Sequence, residues 1–336
     1  MRKILIYFTG FFIIFFIIPV ICTVPHKKQE QVQETVEETE NTQKQDEYNY
    51  EKYKTIKLLH SETMKIEELN IDEYLYGVVS SEMPANFELE ALKAQAVVAR
   101  TYTIYQIIHN SSKHENADIC DNYSCCQAWI SKEERFSKWN SEEAENNWNK
   151  IVQAVNETKG KIVTYNKQPI NAFFHANSGG VTESSLNIWS GIDYPYLKSV
   201  ETSGEEGYTQ YASEVILNKQ ELLEKIKTQY EDCKIDFAQQ DCIQILEYTS
   251  SGRVKTIKFG NKEIAGTEAR TLLGLKSTNF EVAIDEENII FSVTGYGHGV
   301  GMSQTGADSL AKQGLKYEEI IKHFYTNVEI IDVNSL

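Results

Sequence analysis

After Arg2 and Lys3 the chain carries no charged residue from Ile4 to Val24. That run is long enough to cross a bilayer and lacks a convincing small-residue cleavage site, so it predicts an uncleaved transmembrane signal anchor over 1–24. From 25 to 53 the pattern inverts: Glu, Gln, Asn and Thr dominate with almost no aliphatic residue, which predicts a disordered acidic linker. Helical and strand periods then alternate through a folded body over 54–332.

Asp72 to Ser80 reads as a short helix. Glu82 sits where it should stop, one residue before a Met83-Pro84 step that holds the backbone extended. A second helix is predicted from about Glu88 to Ile107, with Leu89, Leu92, Ala96, Ala99 and Thr103 along one side. Lys93 and Arg100 lie two turns apart on it, so both heads can face one cleft about 10 Å apart. Ser141 can cap a helix to about Glu157 whose stripe is Trp148, Ile151, Val152 and Val155. Lys161–Tyr165 and Ile170–His175 read as a hairpin turning at Asn166, and Tyr196 and Lys198 as one face of an extended segment.

Between about 213 and 284 the pattern becomes a smaller α/β lobe. Asn218 and Glu221 cap a helix there, and two strand runs flank Ser251-Gly252. A strand at Ile289–Val293 and helices from Ser303 and from Tyr317 to Phe324 complete the body. The fold class expected is α+β, with helices packed on a mixed, mostly antiparallel sheet beside this second lobe.

The formal charge is −16 and no sustained Lys/Arg run occurs, so no nucleic-acid partner is expected. Cys22 follows Ile21, where a lipidated cysteine would follow a small residue, so an anchor is the better reading than a lipoprotein. Cys233 and Cys242 in the lobe could pair outside the cell, but their spacing does not decide it.

Four stretches carry candidate chemistry. Glu82, at a helix C-terminus among Val78, Val79 and Met83, would have its carboxyl pKa pushed upward, as a general acid requires. Spacing alone does not separate it from a solvated loop glutamate. His114, Cys120, Cys125 and Cys126 offer four ligands within thirteen residues, enough for a closed tetrahedral shell; buried or disulfide-linked cysteines are the competing reading. His175 and Ser178 in FFHANSGG lack the context of a nucleophile elbow and read as groove-lining groups or a structural turn. GYGHGVGMSQTGA lacks the Lys-Ser/Thr pair of a P-loop, leaving His298 and Gln304 as hydrogen-bonders to substrate or to neighbouring loops.

SSEMP with LKAQAVVARTY, FFHANSGG at Phe173–Gly180 and GYGHGVGMSQTGA at Gly295–Ala307 together resemble the stage II sporulation protein D family, in family order and over roughly 53–331. The resemblance implies a membrane-anchored lytic transglycosylase with its body outside the cytoplasm, on the mother-cell membrane that engulfs the forespore. The expected substrate is peptidoglycan glycan strands freed of stem peptides by a partner amidase, stage II sporulation protein P, within a membrane complex that drives engulfment. It implies Glu82 as sole catalytic acid, with Lys93, Arg100, Tyr196 and Lys198 at positions associated with activity. It also implies a structural zinc ion of the clostridial type on His114, Cys120 and Cys126, with Cys125 standing where the family pair has histidine. Two other classes stay open: a non-catalytic wall-binding activator of an amidase, and a zinc peptidase or amidase, which would need an open metal position.

Overall fold

The computed structural model describes residues 50–109, 113–189 and 192–335. The expected anchor and nearly all of the linker lie outside them. Among the described residues no helix is long and apolar enough to cross a membrane.

Strands β1 (Thr55–His60) and β2 (Lys65–Asn70) form an antiparallel hairpin. Asn70 then accepts the Asp72 N–H through its side chain and starts α1, Ile71–Glu82. Met83 is extended at φ −125°, so the helix stops at the glutamate. The next helix, α2 (Leu89–His109), is buried nearly all round rather than along the single stripe expected: Ala91, Leu92, Gln95, Ala96, Val98 and Arg100 are all inside. A helix without a polar face is a central one. It packs on α1 and on α4 (Ser141–Glu157), and later on the two C-terminal helices.

Between α2 and α4 run β3 (Ile119–Cys120), parallel to β1, and the short α3 (Lys132–Lys138), capped by Ser131. The expected hairpin at Asn166 is present but shorter. Asn166 and Lys167 both have positive φ, and β4 (Lys161–Tyr165) pairs only with β5, Gln168–Pro169. Proline has no N–H with which to extend the ladder. The chain leaves to form β6 (Phe174–His175), whose partner lies far downstream. A single turn of helix, α5 (Ser185–Ile188), follows.

The lobe has its own core, from Leu217 to Val293. One antiparallel sheet contains β7 (Ala212–Asn218), β11 (Phe280–Ile284) and β12 (Asn288–Thr294); the other contains β8 (Ile243–Tyr248), β9 (Val254–Phe259) and β10 (Lys262–Ala265). Helices α6 (Lys219–Lys227), opened by the Asn218/Glu221 capping box, and α7 (Gly266–Leu273) cover them. The strand at 288–294, beyond the expected limit at 284, completes the first sheet. Cys233 and Cys242 are buried free thiols.

The chain returns to the body through β13 (Met302–Ser303), parallel to β6, then α8 (Gln304–Lys312), α9 (Tyr317–Phe324) and β14 (Glu329–Asp332), which pairs with β4. The class is α+β, but among the described residues the strands are distributed over five small sheets of two or three strands, not one.

Candidate functional site

Glu82 is half-buried at the end of α1 and makes two hydrogen bonds. Its Oε1 accepts the Ala128 N–H at 2.7 Å, and its Oε2 accepts from Gln304 Nε2 at 3.3 Å. Desolvation raises its pKa above the ordinary carboxyl value, against the opposing pull of those two donors. Gln304 is the first residue of α8, whose cap is Ser303, so the third motif reaches the acid of the first.

Ala128 is placed by its neighbours. Gln127 is buried and donates to Tyr74 Oη of α1 at 2.8 Å and to Thr103 Oγ1 of α2 at 2.9 Å. Gly77 lets the segment pass against α1, because a Cβ there would lie 2.2 Å from Trp129 Nε1 and 2.7 Å from the Ile130 carbonyl. Immediately upstream, ligand atoms of His114, Cys120, Cys125 and Cys126 all lie within 4.8 Å of one another. His114 Nε2 is 3.3 Å from Cys126 Sγ and 3.7 Å from Cys125 Sγ, and the two adjacent sulfurs are 4.0 Å apart. This cluster could hold a metal ion, and its last ligand is two residues from the amide that holds Glu82.

Glu82 opens into a cleft of ≈ 420 Å³. Asn86, Arg135, Trp139, Asn147 and Gln210 share the wall, as does a second acid, the exposed Glu143 on the first turn of α4. None of these was legible in the sequence. One wall comes from α3 and α4, which pack together although neither carries a motif.

The other expected substrate groups are placed elsewhere, and none of them lines this cleft. Arg100 is fully buried. It donates to the carbonyls of Thr158, Lys161 and Val155 and lies 3.8 Å from Asp72. Lys93 sits between Glu90 at 2.9 Å and Glu157 at 2.6 Å. The two heads therefore do not share a cleft, because α2 runs through the core. Tyr196 and Lys198 do not share a face either: a turn at Pro195-Tyr196 buries the tyrosine, which accepts the Asn171 N–H, while exposed Lys198 pairs with Asp193 at 2.9 Å.

His175 and His298 face each other with ring centroids 5.6 Å apart. His175 Nδ1 bonds the Val300 carbonyl; burial, then the Arg253 charge, hold its pKa down at about 3. His298 Nδ1 accepts the Val300 N–H, and burial also carries its pKa well below the ordinary value. Both are neutral hydrogen-bonders near pH 7.

Ser178 has no free hydroxyl. It is buried against Thr202 and donates to Glu205 Oε2 at 2.5 Å. Glu205, missed in the sequence, is the acceptor at the centre of a hub. It also receives the N–H groups of Ser178 and Gly180 and the hydroxyls of Thr202, Thr305 and Ser303. Desolvation would raise its pKa, but the bonds from Ser178, Ser303 and Thr202 and from the Gly180 N–H outweigh it and hold the group at about 2. The lobe locks onto the same loop. Glu183 accepts from Thr249 and Ser251 at 2.6 and 2.5 Å, and Arg253 donates to the Ser178 and Val181 carbonyls at 2.6 and 3.3 Å.

Comparison with known proteins places this architecture among relatives. A stage II sporulation protein family profile matches residues 59–165. The chain is 37% identical over 272 residues to stage II sporulation protein D of Bacillus amyloliquefaciens, covering 80% of this chain and 76% of that protein. It is 34% identical over 282 residues to stage II sporulation protein D of Bacillus subtilis (strain 168), covering 84% and 80%. It is also 31% identical over 300 residues to the amidase enhancer of Bacillus subtilis (strain 168), covering 75% of this chain and 39% of that longer protein.

Proposed function

The chain belongs to the stage II sporulation protein D family, and on that premise we propose that it is a lytic transglycosylase. Its substrate is the bond between N-acetylmuramic acid and N-acetylglucosamine in peptidoglycan glycan strands. The observation that carries this reading is one half-buried carboxyl at a cleft, with raised pKa, held from both sides by Ala128 and Gln304.

In this reaction protonated Glu82 gives its proton to the leaving glycosidic oxygen as the C1–O bond breaks. The resulting carboxylate is stabilised by the Ala128 N–H and the Gln304 amide, which already point at it. It then takes the proton of the sugar's own C6 hydroxyl while that oxygen bonds C1. The products are a 1,6-anhydro end and a new free hydroxyl, and Glu82 is protonated again without a water being consumed.

The His/Cys quartet suits zinc. Zn–S bonds of about 2.3 Å and Zn–N bonds of about 2.0 Å give tetrahedral edges of roughly 3.5–3.8 Å, close to the 3.3–4.0 Å separations seen among His114, Cys125 and Cys126. With four protein ligands such an ion would have no open position, so its contribution would be structural: His114, Cys120, Cys125 and Cys126 would tie down the loop that leads to Ala128. Purified reduced protein is expected to carry about one zinc per chain. A metal content near zero by elemental analysis would remove zinc from the proposal.

The biological setting proposed is sporulation engulfment, with Ile4–Val24 as a single membrane anchor and the body outside the cytoplasm. Stage II sporulation protein P, an amidase, is its proposed partner. A second reading, a wall-binding activator of an amidase, is favoured by the similarity to the amidase enhancer.

Mass spectrometry of products from purified denuded strands separates the two. Wild type should release anhydro ends, lighter by one water than hydrolysed ends, and Glu82→Gln should lower the rate by about 10²–10⁴-fold with the fold intact. Glu143→Gln should still give anhydro ends. Reducing ends that vanish in Glu143→Gln would mean two-carboxylate hydrolysis instead. Binding without cleavage would favour the activator.

A further inference from the structure

Arg135 is the single cation among the described residues that line the Glu82 cleft. It projects from α3 and stacks on Trp139, its Cζ 4.6 Å from the ring centre. Its Nε is buried without a hydrogen-bond partner, and no carboxylate lies within ion-pair distance among the described residues. Arg100 and Arg253, both fully buried in the core, instead donate to backbone carbonyls and line no part of this cleft. Nearby Lys138 is spent on Glu134 at 2.6 Å. Burial also lowers the Arg135 pKa, as expected for a cation removed from water without an anion beside it.

A planar guanidinium pre-set by an aromatic face is suited to a carboxylate, which it can hold with two parallel hydrogen bonds. The sugars of a peptidoglycan strand are otherwise neutral. Their one ionisable substituent is the lactyl carboxyl on the muramic sugar, a free carboxylate when no peptide is attached and a neutral amide when one is. Asn86, Asn147 and Gln210 on the same wall offer uncharged partners for hydroxyl and acetamido groups.

We propose that Arg135 reads the free lactyl carboxylate of the muramic sugar and so makes this cleft selective for strands without stem peptides. The proposal rests on the glycan-cleaving reading above for the identity of the ligand. A stem peptide would remove the charge that Arg135 needs and add bulk where the fork must close. Selectivity then comes from an interaction lost as well as from crowding.

The test uses the full chain and one strand preparation in two forms, with lactyl carboxylates free or converted to methyl amides. Binding is measured in the cleavage-silent Glu82→Gln background, so the outcome does not depend on turnover. Free-carboxylate strands should bind about 10–100-fold tighter than amidated ones, the range expected for a charge-assisted pair. Adding Arg135→Gln should erase that ratio by weakening only the free form. Arg135→Lys, which keeps the stem over Trp139 and one charge but not the fork, should give an intermediate ratio and controls for misfolding. Equal binding of the two strands by the parent, or an undiminished ratio in either Arg135 variant, overturns the proposal. Failure of the cleavage reading would show separately, as absence of anhydro product from the wild-type chain on either strand.

Discussion

Glu82 and Glu205 are both carboxylates withdrawn from water, yet they lie on opposite sides of the ordinary range. Glu82 has one backbone and one side-chain donor, and its pKa is raised. Glu205 is fully buried, receives hydrogen bonds from hydroxyls and N–H groups on three separated segments, and sits at about 2. Burial alone therefore does not set the sign of the shift; the number of donors to the charged form does. Two donors leave the Glu82 carboxyl easier to protonate than one in water. A full set makes a permanent anion that organises Ser178, Thr202, Ser303 and Thr305, and through Ser303 the start of the helix that presents Gln304.

The sharpest way to break this comparison is to remove each acid and measure unfolding by urea. Glu205→Ala leaves several buried donors unmatched and should cost about 4 kcal/mol. Glu205→Gln, which keeps one acceptor oxygen, should cost about half as much. Glu82→Ala should stay within about 1 kcal/mol of wild type or stabilise, because it deletes an under-solvated acid. Equal losses at the two positions would erase the distinction.

Stability against pH gives a smaller but signed effect. The depressed Glu205 pKa means its contribution is complete above the ordinary 4.5 and is lost as pH falls from there toward about 2. Glu205→Gln should flatten that acid limb. The raised Glu82 pKa works in reverse: the native state holds the proton longer than the unfolded chain. Stability therefore falls as pH rises from 4.5 through the raised value, and Glu82→Gln should flatten this window.

The smallest effect expected is at Gln304. Removing one of the two donors with Gln304→Ala should push the Glu82 pKa further up, moving the alkaline limb of the cleavage profile to higher pH. An unchanged or downward-shifted limb would show that the 3.3 Å contact does not tune the acid.

What the sequence by itself determined is local. The stop at Met83-Pro84 that leaves Glu82 at the end of its helix, the Asn218/Glu221 box and the close spacing of the His/Cys quartet depend on neighbours a few residues away. Backbone sterics and capping act over that range. The class of fold was legible for the same reason, since it follows from the order of helical and strand periods.

Only the tertiary structure decided which groups meet. Arg100 looked like a cleft residue because it lies two turns from Lys93, but α2 is enclosed on all sides and its guanidinium is spent inside. Glu205 looked like any acid in a polar run, since its donors come from Ser178 and Gly180 on one side and from Ser303 and Thr305 on the other. Arg135, Trp139 and Glu143 carry no motif, and they matter because α3 and α4 form one wall of the cleft at the end of α1. Charge chemistry inside a protein is set by the few atoms within hydrogen-bond reach and by the water excluded around them, and those are properties of packing between distant segments.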